Sequence, residues 1–361
     1  MNILKKHNRK GQLYPVIKEW NLLRVIACLC IVFLHSTTLN SRHAGHPEID
    51  YYDVFRAIIC FATPTFIVLS EIILANRYPD RLPNQFWQKR LKFIFLPFVS
   101  FAIIDALNAK YFNPNVFLEL KIFNNIVMGT FIGYFIFIIF QFYVLHYLVV
   151  RFKPSMKWLL PVSLLTMAVH LSFMKMNIPF VHEHQALLKL PFTAWFGYFT
   201  IAYIIGKHYK KLQQELLTYR WLTLILAALS VLYFYFSFES GNARINSLRL
   251  DLFPVVLSFS AVILAWGQLI PNFRIIQFIS NYSFGIYLLH WQVLRHLAPY
   301  TVTWFNHTST RVLALFLMGL VISVTIIKLI SLLPFGSMIV GNIKKLSPKL
   351  KQTRDTAQVV A

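Results

Sequence analysis

Within the first apolar run of the chain, Arg24 is followed by ten residues and then His35. Eleven helical steps of about 100° bring the two within about 20° of one face, roughly three turns apart. Arginine binds phosphate or carboxylate through a planar fork of N–H donors. Histidine takes or gives a proton near neutral pH. Ionisable side chains in hydrocarbon are costly, so each is a functional candidate. Each also has a structural reading: Arg24, about one turn inside the helix, can snorkel to headgroups, and His35 can satisfy an interhelical hydrogen bond. His290, in SFGIYLLHWQV, lies at nearly the same depth on a later helix, so the two histidines are candidates to share one cavity.

The remaining intramembrane polar residues are sorted the same way. Arg56 follows Asp53 by three positions, the spacing of a local ion pair; it is also a candidate to stabilise an oxyanion or an anionic acyl group near His35. Glu71 is about level with Arg24 and could pair with it. Asp105 could orient a histidine through its ring N–H. Pro64, in FATPTF, is expected to kink the second span and free a backbone carbonyl. Gln141 reads as an interhelical hydrogen bond. His182 and His184 flank Glu183 as a weak metal signal, with solvated loop histidines the plainer reading. The chain carries no P-loop, dinucleotide-binding glycine pattern, zinc spacing or nucleophile elbow.

The elements that position these groups follow from composition. The 361 residues are 57% hydrophobic and only 13% charged, too little charge to cover a soluble domain of this length. Apolar runs can be marked off at 20–39, 54–75, 91–107, 133–150, 158–174, 192–206, 221–238, 252–270, 275–297 and 312–333. They predict an all-α, polytopic membrane protein of about ten helices. The net charge of +22 does not point to nucleic acid, because Lys and Arg fall in short clusters between apolar runs and not along one stripe. Of the 35 basic residues, 23 lie in the two tails and alternate loops and nine in the opposite loops. That asymmetry places both termini in the cytoplasm. Residues 1–19 read as a basic cytoplasmic tail, 20–333 as one membrane domain and 334–361 as a second basic tail. The N-terminus reads as lacking a cleavable signal, so the first span is retained. Cys28, Cys30 and Cys60 sit inside spans, which argues against a disulfide framework or thiolate metal site.

The segment NLLRVIACLCIVFLHS, with Arg24 and His35, resembles the opening helix of the acyltransferase family 3 membrane proteins. FATPTFIVLSEIIL resembles that family's second helix, QKRLKFIFLPF the start of its third and SFGIYLLHWQV its late-helix motif ending in His290. GYFIFIIFQFYVLHYLV also resembles the branch that modifies secreted poly-N-acetylglucosamine of biofilms. There are two departures. Glu71 follows Ser70 where the family usually has Ser-Gly, and Arg90 and Lys92 stand where two spaced arginines are common.

The resemblance implies a multi-pass enzyme of a bacterial cytoplasmic membrane. It would move an acetyl or succinyl group from cytoplasmic acyl-CoA to a hydroxyl of an extracytoplasmic or secreted glycan. Acyl-CoA would be a donor substrate and not a bound cofactor. Arg24, Arg90 and Lys92 would receive its phosphates, and His35 would act as general base or as an acyl relay. His290, Arg56, Asp105 and Glu71 would support them. The partners implied are the bilayer, the glycan and polysaccharide synthase components, with no nucleic acid. The rival readings are a polysaccharide exporter or flippase, and a scaffold for a synthase.

Topology is tested by labelling. Asn115→Cys and Gly241→Cys are expected to react with an impermeant maleimide on intact cells, whereas Arg81→Cys and Gln213→Cys are not. The reverse pattern would invert the orientation.

Overall fold

The computed structural model describes residues 17–343, together with the backbone of a short antiparallel pair, Lys5–His7 with Leu13–Pro15. Side chains before residue 17 and all residues from 344 onward lie outside the described residues, and with them the basic clusters of both tails.

The described chain is helical. In order it forms α1 (Lys18–Ala44), α2 (Tyr52–Ile59), α3 (Ala62–Arg77), α4 (Phe86–Arg90), a π-helical turn (Leu91–Phe95), α5 (Leu96–Phe112), α6 (Leu118–Val127), a 3-10 turn (Ile132–Tyr134), α7 (Phe135–Phe152) and α8 (Met156–Phe173). It continues with α9 (Pro179–Leu188), a second 3-10 turn (Phe192–Trp195), α10 (Phe196–Lys207), α11 (Tyr209–Thr218), α12 (Arg220–Glu239), α13 (Leu252–Trp266), α14 (Arg274–Trp304), α15 (Thr308–Leu332) and α16 (Gly336–Val340).

Each of the ten expected spans falls on a helix. Seven helical stretches are long and apolar enough to cross a membrane, and an eighth is added if Pro179–Leu188 and Phe192–Lys207, bent by 76°, form one broken span. Of the other two, α13 has only 15 residues. The 31-residue α14 has ample length, but Ser280, Asn281, Ser283, His290, Gln292, Arg295 and His296 dilute its apolar character. The outward faces are apolar: Leu165 on α8, Ile225 and Leu229 on α12, and Val321 and Leu329 on α15 are all exposed. Faces of that kind suit lipid and not water. Helices α6, α9, α11 and α16 lie in stretches the apolar runs left as loops or tail.

Two cores flank α1. Leu23 belongs to one core with Ile67, Phe199 and Val256, and Ile31 and Val32 belong to a second with Phe98, Ile286 and Leu315. On that second side α1 and α14 run parallel and in register. Arg24 meets Ser280, Cys28 meets Ser283 and His35 meets His290.

Two other spans depart from regular helix ahead of a proline, Pro64 as expected and Pro97 besides. Pro64 lacks the N–H that would bond the Cys60 carbonyl, so the second span divides into α2 and α3. The Ser247 hydroxyl takes up that carbonyl at 3.1 Å. Pro97 likewise cannot bond the Phe93 carbonyl, and the turn before it widens to π form, with Leu96 N–H reaching back to the Leu91 carbonyl. At the bend between α9 and α10, Gln141 donates to the Leu190 carbonyl at 2.9 Å and accepts from the Phe192 N–H at 2.7 Å. Gln141 is thus the interhelical hydrogen bond its position suggested.

The loop before α13 is held by a buried ion pair. Arg249 donates from Nε to Asp251 Oδ1 at 2.9 Å and from Nη2 to Oδ2 at 2.7 Å, with its Nη1 on the carbonyls of Asn242 and Arg244. Both residues are almost fully buried. Arg249→Ala leaves Asp251 buried without its cation, and a loss of about 3–5 kcal/mol is expected, read as a fall in thermal stability in detergent. The labelling result for Gly241→Cys carries a strain of its own, since Gly241 has φ +101°, whereas Asn115 is an exposed loop residue free of it.

Candidate active site

His35 is half-buried on α1 and makes no hydrogen bond to any described residue. Its ring lies 5.2 Å from that of His290, centroid to centroid and tilted by 35°, and 5.0 Å edge-on from Trp291. The matched depths inferred from sequence are therefore a direct ring contact. His290 is fully buried, and its Nδ1 lies 2.9 Å from the Ile286 carbonyl. A carbonyl can only accept, so Nδ1 carries the proton and Nε2 keeps its lone pair in the neutral ring. That Nε2 is buried with no partner. The result is an imidazole pair with one tautomer fixed by backbone.

Arg24 lies at the other end of the same helical seam. Its Nη1 donates to Ser280 Oγ at 3.1 Å, and Ser280 in turn donates to Asn21 Oδ1 at 3.0 Å. It is near enough to Arg77 for the two cations to act on each other. Arg24 does not pair with Glu71, contrary to the sequence expectation. Glu71 Oε1 lies 2.8 Å from His146 Nδ1, with both side chains fully buried. The His146 Nε2 faces the Tyr78 carbonyl at 3.1 Å. Nε2 must therefore carry a proton, and a second proton lies between Nδ1 and the carboxyl. Glu71 thus departs from the family pattern together with a buried partner on α7. His146 was missed because it sits in an apolar run, GYFIFIIFQFYVLHYLV, with no local sign that α3 supplies a carboxyl opposite it.

Asp105 also differs from expectation. It orients no histidine, because Gln292 donates to Oδ1 at 2.6 Å and Asn125 to Oδ2 at 2.9 Å, with Lys121 Nζ 3.6 Å away. Gln292, its partner, stands two residues after His290 on α14. Arg56 makes the local ion pair with Asp53 at 3.1 Å and also donates to Thr37 and Thr38, both at 3.1 Å. It fastens α2 just beyond His35 without touching it. Arg90 is half-buried and stacks on Phe86 and Tyr143, 4.9 and 5.0 Å from their ring centres. Lys92 is exposed, with its ammonium 5.6 Å from the Phe93 ring centre. Neither is hydrogen-bonded to Arg24. His182 bonds Asn177 and His184 the Phe180 carbonyl; among the described residues no three metal-ligand side chains gather.

Two cavities open at the His35 end. One of about 350 Å³ is lined by Asp105, Lys121, Lys189, Trp291 and Arg295, and a second of about 470 Å³ by Lys175, Arg244 and Ser247 among others. They share Tyr134 and Lys189, and Trp291 joins the smaller one to the His35 ring. The bundle thus carries an arginine at one end, and at the other a hydrogen-bond-free imidazole beside a polar cleft.

Comparison with known proteins agrees with this arrangement. The family described as an acyltransferase domain matches residues 17–328. A Bacillus subtilis (strain 168) protein, YfiQ, whose name describes a membrane-bound acyltransferase, is 37% identical over 293 residues, covering 76% of this chain and 80% of that protein. A Staphylococcus aureus (strain MSSA476) protein named for poly-beta-1,6-N-acetyl-D-glucosamine export is 26% identical over 321 residues, covering 84% of this chain and 91% of its own. A Staphylococcus epidermidis protein of the same name is 26% identical over 293 residues, 77% of this chain and 81% of its own. No solved structure matches. With the family match running across α1 to α15 and the paired histidines of its first and late helices in contact, the chain belongs to acyltransferase family 3 and is a multi-pass membrane acyltransferase.

Proposed function

We propose that the protein transfers a small acyl group, acetyl or succinyl, from cytoplasmic acyl-CoA to a hydroxyl of an extracytoplasmic glycan. The observation that carries the reading is the placement of His35. It makes no hydrogen bond among the described residues and is set against His290 and against Trp291, whose ring lines a polar cleft. Arg24 lies on the same seam at the end that the basic-residue asymmetry assigns to the cytoplasm.

In the reaction His35, neutral, takes the proton of the acceptor hydroxyl as its oxygen attacks the thioester carbonyl. The C–O bond forms, the C–S bond breaks, and the CoA thiolate leaves. An acyl-histidine relay would divide the same exchange into two steps. The His290 ring, held to one tautomer by the Ile286 carbonyl, packs against His35 and positions it. Arg24 holds donor phosphate, for which a guanidinium fork is suited. The exporter reading draws support from the names of the staphylococcal relatives. An exporter leaves acyl-CoA intact, so incubation of purified protein with labelled acetyl- and succinyl-CoA plus cell-surface glycan separates the two.

His35→Ala and His35→Gln proteins are expected to fold yet lose transfer by roughly 100-fold or more, with His290→Ala less affected. Because the base must be neutral, the wild-type rate falls as pH is lowered through the His35 titration. A folded His35→Ala protein with the wild-type rate would remove His35 from the chemistry. For Arg24, alanine is expected to raise KM for acyl-CoA while leaving glycan affinity alone, and Arg24→Lys to restore it in part. An unchanged KM in Arg24→Ala would leave this residue a snorkelling role.

A further inference from the structure

The cleft beside His35 is strongly basic. Lys175 and Arg244 line its larger lobe, Arg295 its smaller one, and Lys189 stands where the two meet. None of these four has a carboxylate within ion-pair distance among the described residues. The Lys189 ammonium instead sits 4.2 Å from the Tyr134 ring centre and the Arg295 guanidinium 4.2 Å from that of Phe112. The acids nearby are already committed, Asp105 to Asn125, Gln292 and Lys121 and Asp251 to Arg249. Arg42 adds a fifth cation, 5.1 Å from the ring centre of Trp291, the aromatic wall between cleft and imidazole.

Uncompensated like charges around a concave surface repel one another, so their clustering is a cost unless a ligand of opposite sign answers it. This end of the bundle is also the one that the positive-inside asymmetry makes poor in basic residues, so the concentration here runs against the general trend. From this placement we infer that the cleft binds a polyanionic acceptor, a glycan bearing carboxylate or phosphate along its length. One unit lies on Trp291 with its hydroxyl at His35, and the neighbouring units run past Lys189 to Lys175 and Arg244. The two lobes together far exceed the size of a four-carbon acyl group, so the spread of cations answers charge on the polymer and not on the acyl. The inference rests on the acyl-transfer reading and names its acceptor.

The test uses the full-length protein in detergent with acetyl-CoA as donor. Two oligosaccharide acceptors of equal length are compared, one of neutral N-acetylhexosamine and one carrying uronic acid units. The anionic acceptor is expected to show a KM roughly tenfold or more lower, with the advantage shrinking as salt is raised. In the Lys175→Gln/Arg244→Gln double variant, both positions being exposed, KM for the anionic acceptor rises about as far, while kcat, the KM for acetyl-CoA and the neutral acceptor are unchanged. Equal or better use of the neutral acceptor, or an unmoved KM in the double variant, overturns the inference while leaving acyl transfer intact. If salt and the double substitution act only when succinyl-CoA replaces acetyl-CoA, the charge recognised is on the acyl group, and the inference fails. If neither acceptor is acylated the transfer reading fails, and direct titration of labelled anionic oligosaccharide onto the protein decides the cleft alone. Saturable, salt-sensitive binding lost in the double variant upholds it, and absence of binding overturns it.

Discussion

The parallel, in-register contact between α1 and α14 is the constraint on which the rest of the structure depends. Arg24 on Ser280 fixes one end of the seam and His35 against His290 the other. A single interhelical hydrogen bond within a membrane contributes only about 0.6 kcal/mol on average. The register is therefore held by packing, with Ile31, Val32 and Ile286 in the core that the two helices share. The polar contacts select that register over its neighbours, because a slip of one residue would carry both His35 and Arg24 about 100° off the seam. The proposed site and the fold thus share one helix pair. The two groups assigned to donor and acceptor are spaced by the rise of a continuous helix and not by a flexible loop.

Around that pair, side chains satisfy backbone groups freed at irregular points of the spans. Hydrocarbon offers no water to a freed carbonyl, and two of the breaks have a side-chain partner: Ser247 for the Cys60 carbonyl, and Gln141 for the bend at Leu190 and Phe192. Ser247 belongs at the same time to the cleft wall, so the kink made by Pro64 also places the loop that carries Arg244. Asp105 works in the same manner, joining α5, α6 and α14 through Asn125 and Gln292 just beyond His290.

Much of this was legible in the sequence, for reasons that can be stated residue by residue. Apolar run length located the helices because a membrane span demands one. The spacing of Arg24 and His35 gave their common face because helical geometry alone decides it. The Asp53–Arg56 pair was local and therefore readable. Pairings across the bundle were not. Glu71 was set against Arg24 by depth, but depth leaves rotation and neighbour free, and the residue that meets it is His146 on α7. Asp105 was assigned to a histidine for want of any sign that Gln292 and Asn125 would reach it first. The basic cleft was invisible for the same reason. Lys175, Lys189, Arg244 and Arg295 lie in separate segments, each unremarkable alone, and only the folding of three loops toward α14 gathers them.

The central claim is that donor and acceptor are engaged at opposite ends of one helical seam, with the acyl group crossing between them. Reconstitution into sealed liposomes with acyl-CoA enclosed on one side and glycan on the other tests it directly. With orientation fixed by protease protection of the tails, labelled acyl should appear on glycan only when the donor faces the Arg24 end and the acceptor the His35 end. Equal transfer when both substrates are confined to the Arg24 side, with none across the bilayer, would contradict the account.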